Sequence, residues 1–134
     1  MRVISLDHIV LTVQDLDRAC AFYRDVLGLE EVVFGAGRKG FRFGMQKINL
    51  QVATHAANPK ASVETPGSAD LCVLIDSVEE AIDHLTAASV KIEEGPVYRT
   101  GARSPLLSIY IRDPDGNLIE LAQPQNVVLG QHSE

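Results

Sequence analysis

Residues 107 to 122 read Leu-Ser-Ile-Tyr-Ile-Arg-Asp-Pro-Asp-Gly-Asn-Leu-Ile-Glu-Leu-Ala, the pattern of a strand, a tight turn and a second strand. Ser108, Tyr110 and Arg112 alternate with Ile109 and Ile111, and Asp113 to Asn117 supply the turn chemistry. In the return strand, period-two alternation sends Glu120 to the face opposite Ile119 and Leu121. On a solvated face such a carboxylate is ordinary. On an enclosed face an ionised carboxylate costs several kcal/mol unless a cation compensates it.

Working outward, the chain repeats itself. A strand over 3–13 is followed by a helix whose apolar positions Leu16, Ala19, Phe22, Tyr23, Val26 and Leu27 recur at helical spacing up to Gly28. Short strands over 29–34, 41–44 and 48–54 then flank a glycine-rich connection at 35–40, which lacks the spacing of a phosphate loop. Residues 55–68 hold two prolines and no period, and read as a linker. After them come a strand at 70–75 and a capping box of Ser77 with Glu80. A helix follows, with Val78, Ala81, Ile82, Leu85 and Ala88 on one face. A strand at 90–92, a break at Gly95-Pro96 and a polar loop over 98–105 lead into the opening stretch. In the tail from 124, Val127, Val128 and Leu129 are candidates for docking onto the body.

Each half is thus a strand, a helix and three strands, and neither covers both faces of its sheet alone. The expectation is an α+β fold of two βαβββ modules, 3–54 and 69–123, in one domain of 134 residues. Curled mixed sheets forming a half-barrel cavity complete that picture, with the halves pairing within the chain or across a homodimer.

Composition narrows the function. A formal net charge of −6 with dispersed acids argues against a nucleic-acid partner. No apolar run of membrane length and no secretory leader stand out, so a cytoplasmic setting away from membranes is expected. Cys20 and Cys72 have neither metal-finger nor redox spacing and read as small core residues.

Superposing the halves places His8 on Asp70 and Gln51 on Glu120, all opposite the aliphatic strand faces. If two curled sheets face one another, the four polar side chains converge. An imidazole, two carboxylates and an amide oxygen then suit a divalent cation with positions left for water or substrate.

These patterns resemble the vicinal oxygen chelate superfamily of glyoxalase I, fosfomycin-resistance transferases, extradiol dioxygenases and bleomycin-resistance proteins. The resemblance rests on Leu-Asp-His-Ile-Val-Leu-Thr-Val at 6–13, Phe-Tyr-Arg-Asp-Val-Leu-Gly-Leu at 22–29 and Arg-Asp-Pro-Asp-Gly-Asn-Leu-Ile-Glu-Leu at 112–121. Within that superfamily, 38–50, 65–72 and 99–102 look like a small glyoxalase-domain subgroup.

The resemblance implies metal ligands at His8, Asp70 and Glu120, with Gln51 where glyoxalase I places another. Asp70 stands where those enzymes usually carry histidine, and the oxygen-rich set favours Mn2+, Mg2+ or Ni2+ ahead of Zn2+ or Fe2+. Glu120 would serve as the catalytic carboxylate. Asn49, Ser108, Tyr110 and Arg112 from the strands, with Arg38, Lys39, Arg99 and Thr100 from the loops, are the expected substrate contacts, and these cations suit an anionic small molecule.

The leading reading is a metal-dependent lyase, isomerase or transferase of glyoxalase type. The alternative is a metal-free drug- or metabolite-binding protein of the bleomycin-resistance kind, which 5% aromatics and no Trp disfavour. A ring-cleaving extradiol dioxygenase ranks third, because two histidines and a carboxylate cannot be assembled from His8 and Glu120 alone.

Overall fold

The computed structural model describes residues 1–55 and 58–126. Val127, Val128 and Leu129 of the tail lie outside the described residues. Two compact units divide the chain, Met1–Ala69 with Pro114–Gly116, and Asp70–Asp113 with the segment from Asn117 onward.

The first unit carries β1 (His8–Val13), α1 (Leu16–Ala21), β2 (Glu30–Phe34), β3 (Arg38–Phe43) and β4 (Gln46–Val52). Its sheet runs β1-β4-β3-β2, with β1 parallel to β4 and the other pairs antiparallel. The second unit repeats the plan with β5 (Asp70–Leu74), α2 (Val78–Ala87), β6 (Glu94–Thr100), β7 (Pro105–Arg112) and β8 (Leu118–Pro124), in the order β5-β8-β7-β6. Two βαβββ modules with mixed four-stranded sheets are therefore present, as the repeat predicts. No helix among the described residues is long and apolar enough to cross a membrane.

Period-two alternation sorts each sheet into two faces. In the first unit Leu11, Val13, Phe41, Ile48 and Leu50 are buried with Ala19 and Cys20 of α1. Asp15 caps α1, its carboxylate accepting from Arg18 N at 3.0 Å. The expected longer helix instead continues as a π-helical turn over Phe22–Val26, where Leu27 N reaches back to Phe22 O at 3.1 Å. That wider turn lets adjacent Phe22 and Tyr23 both enter the core, edge to face with ring centroids 5.2 Å apart.

In the second unit Ile109, Ile111, Ile119 and Leu121 are buried on the face that packs with Val78 and Leu85 of α2. Ser77 caps that helix by accepting from Glu80 N at 3.1 Å, and Val78 N donates to Gln123 Oε1 at 2.9 Å. The β7–β8 turn is closed by Asp113, whose carboxylate accepts from Asn117 N at 2.9 Å and Asn117 Nδ2 at 2.8 Å.

Three boundaries differ from the sequence expectation. β1 begins at His8 because its partner β4 begins opposite at Gln46–Lys47, leaving nothing to pair residues 3–7. Residues 38–40 belong to β3, since the tight turn needs only 35–37, with Gly35 and Gly37 at positive φ. The expected break at Gly95-Pro96 is a bulge inside β6, where the register shifts between Glu94 and Val97. The strand therefore covers Glu94–Thr100, and residues 90–92 form no strand.

Candidate functional site

Glu120 stands in the middle of β8 on the face opposite the α2 core, in register with Cys72 of β5 and Tyr110 of β7. Ser108, one pleat along β7, is fully buried and donates from Oγ to Glu120 Oε2 at 2.6 Å. The Tyr110 hydroxyl oxygen accepts from Arg99 Nε at 3.0 Å. Burial holds the Tyr110 hydroxyl above the ordinary phenol range, with Arg99 opposing and Glu120 adding to the shift. Burial first, and then the Glu120 carboxylate, push the Cys72 thiol up to about 11.

Glu120 is thus held by a neutral hydroxyl donor. Among the described residues no Lys, Arg or His forms an ion pair with it. The carboxylate opens on a cavity of about 530 Å³ that lies wholly within the second unit. Leu74, Leu106 and Pro124 form its apolar wall, and the turn Thr100–Ser104 closes it beyond the ends of β6 and β7. Pro124 is four residues past Glu120 on β8, about 13 Å along the strand at ~3.3 Å per residue.

The register corrects one pairing drawn from the sequence. His8 lies opposite Lys47 and Val10 opposite Asn49 in the first sheet; Asp70 lies opposite Leu118 and Cys72 opposite Glu120 in the second. With His8 matched to Asp70, the counterpart of Glu120 is Asn49, and Gln51 falls one pleat further on. Gln51 lines a separate cavity of about 140 Å³ with Arg38 and His55. Asn49 is buried, and among the described residues its Oδ1 has no hydrogen-bond partner. Such an orphan acceptor costs about 1–3 kcal/mol unless something outside the chain satisfies it. Gly40 faces it in register across β3, and a Cβ there would meet Asn49 Oδ1 at 2.8 Å.

Each unit therefore presents one pair on one sheet face: His8 with Asn49, and Asp70 with Glu120. His8 is exposed and places Nδ1 2.8 Å from Asp7 Oδ1, which leaves Nε2 as the nitrogen that could hold a metal. Within the second unit, the carboxylates of Glu120 and the exposed Asp70 are oxygen donors of the kind a hard divalent ion takes. Among the described residues no group of three or more His, Cys, Asp or Glu side chains is placed to hold one.

Several expected substrate contacts are committed elsewhere. Ser108 is fully buried and spends its hydroxyl on Glu120. Arg99 Nη2 donates to Glu94 at 2.9 Å, and Arg112 pairs with Glu93 through two bonds of 3.0 Å. Lys39 lies in register with Leu50 on the helix-bearing face and bonds Glu31 at 3.0 Å. Arg38 is on the Asn49 face, stacked 4.8 Å over the Phe34 ring. Thr100 does line the cavity beside Glu120. Sequence reasoning missed Arg103, which lines the same cavity, and took Cys72 for core although it is exposed there. The parity of Cys72 with Glu120 across the β5–β8 pair was the available signal.

A family model described as the glyoxalase/bleomycin resistance protein/dioxygenase superfamily matches residues 5–121. The chain is 51% identical to the glyoxalase domain-containing protein RDO1 of Mycosarcoma maydis, over 94% of this chain and 72% of that protein. It is 48% identical to a virulence protein of Salmonella typhimurium, over 92% and 86% of the two chains. The crystal structure of that protein superposes with a TM-score of 0.91 over 93% of this chain and all of the other. A lactoylglutathione lyase from Agrobacterium tumefaciens superposes with a TM-score of 0.71 at 31% identity, over 91% and 95% of the two chains.

Proposed function

Because the chain belongs to the glyoxalase/bleomycin resistance protein/dioxygenase superfamily, we propose that it is a metal-dependent enzyme of glyoxalase type. It acts as a lyase, isomerase or transferase on a small oxygenated molecule. The observation that carries this reading is Glu120, a carboxylate held by the Ser108 hydroxyl at the wall of a cavity that also presents Leu74, Leu106 and Pro124. A divalent cation would give this carboxylate the charge partner that no Lys, Arg or His among the described residues supplies. The 31% identity with a lactoylglutathione lyase over nearly the whole of both chains adds support.

A divalent ion, when bound, polarises adjacent substrate oxygens and stabilises the oxyanion that develops on them. Asp70 and Glu120 are the pair proposed to hold it, and His8 and Asn49 are the repeat-related pair of similar donor type. Glu120 moves the proton, taking it from a carbon next to the polarised oxygen and returning it to the neighbouring atom. Ser108 fixes one carboxylate oxygen at 2.6 Å and so orients the group on β8. Tyr110 stands in register beside Glu120 and is itself braced by Arg99. Leu74, Leu106 and Pro124 supply apolar surface beside Glu120. A homodimer and a cytoplasmic setting belong to the same proposal.

The test is calorimetry on chelator-stripped protein titrated with Mn2+, Mg2+, Ni2+, Zn2+ and Fe2+, alongside Glu120→Ala. Tight binding of one ion that disappears in the variant is the expected result. It would be followed by screening dicarbonyl–thiol adducts, epoxides and catechols. Ion binding no stronger than that of the variant would overturn the metal-enzyme reading.

A further inference from the structure

The second unit contains Arg99, Arg103 and Arg112. Arg99 and Arg112 are each bound to a glutamate, whereas Arg103, among the described residues, has neither an ion pair nor a hydrogen bond from its guanidinium. Arg103 lines the same cavity as Glu120. It does so from a fixed turn: Gly101 N donates to Ser104 O at 3.0 Å, and a Cβ on Gly101 would lie 2.5 Å from that oxygen and 2.8 Å from Leu106. Only glycine allows this close approach, which sets the backbone of the turn that carries Arg103.

Between this turn and Glu120 the wall is apolar. Leu74 is 64% exposed within it and so offers apolar surface to a ligand. The cavity thus runs from a cation without a partner, along leucine and proline surface, to a carboxylate without a cation. Like charge at Glu120 repels an anion from that end, and Arg103 attracts it to the other. A guanidinium binds a carboxylate through paired N–H donors, which makes a planar acid group its best match.

We infer that the cavity takes a short molecule bearing a carboxylate on an apolar stem. Its acid group lies on Arg103, its stem along Leu74, Leu106 and Pro124, and its other, oxygenated end beside Glu120. The orientation rests on the reading that chemistry occurs at Glu120; recognition of the acid by Arg103 does not.

The test uses hexanoate and uncharged hexanol as probes, titrated into metal-stripped protein while the methyl resonances of Leu74 and Leu106 are followed by NMR. Hexanoate is expected to shift both residues and to bind about tenfold or more tightly than hexanol, the scale of one charge-assisted contact. Arg103→Ala abolishes that preference, and Arg103→Lys keeps part of it. Equal binding of the two probes, or a preference surviving in Arg103→Ala, overturns the inference. Because no metal is present in this titration, failure of the metal reading appears only in the calorimetry and leaves the hexanoate result intact.

Discussion

The arrangement around Glu120 makes a quantitative demand on Cys72. Its thiol is raised from the ordinary 9.0 to about 11, burial being the larger cause and the Glu120 carboxylate the next. That shift lowers the thiolate fraction near neutral pH about a hundredfold. The thiolate that does form is more nucleophilic, because reactivity rises with pKa at a Brønsted slope of ~0.4–0.5, which returns roughly six- to tenfold. Cys72 is therefore expected to alkylate about tenfold more slowly at pH 7.5 than an ordinary exposed cysteine, despite its accessibility. The assay is the pH dependence of iodoacetamide labelling, read at the Cys72 peptide by mass spectrometry, with buried Cys20 as the internal contrast. In Glu120→Gln the charge is gone and the burial remains, so the midpoint falls below about 11 yet stays above 9.0. A midpoint at or below the ordinary value in the native protein, or one that Glu120→Gln leaves unmoved, would refute the juxtaposition of thiol and carboxylate.

Two further outcomes follow from buried polar groups. Asp113→Ala removes both hydrogen bonds that hold Asn117 and leaves its buried amide groups without them, so denaturant unfolding should show a loss of about 2–4 kcal/mol; a change under 0.5 kcal/mol would show that the turn closes without Asp113. Asn49→Leu replaces an orphan buried acceptor by an apolar group of similar size, so thermal stability should hold or rise by up to ~1–2 kcal/mol, whereas a loss above 2 kcal/mol would reveal a partner for the Asn49 amide.

Much of the fold is legible in the chain because it depends on local period and turn chemistry. The alternation around Ile109, Ile111, Ile119 and Leu121 marks the buried face of β7 and β8 without reference to any other segment. Ser77 with Glu80, and Asp113 with Asn117, announce a helix start and a hairpin turn through bonds spanning three or four residues. The bulge at Gly95 was not legible: a glycine followed by proline looks like a break, and only the approach of Ser108 and Ile109 shows that a strand continues past it.

The sequence by itself determined the two βαβββ modules, their repeat and the placement of Glu120 opposite the aliphatic face, since these follow from spacing along one strand at a time. Tertiary structure decided what stands beside Glu120. Strand register joins residues far apart in sequence, and a slip of one pleat exchanges Gln51 for Asn49 without disturbing either strand's alternation. Whether an arginine is spent or available is likewise a matter of what lies across from it. Glutamates five and nineteen residues back hold Arg99 and Arg112, while the turn at 101–104 carries Arg103 past any such partner among the described residues.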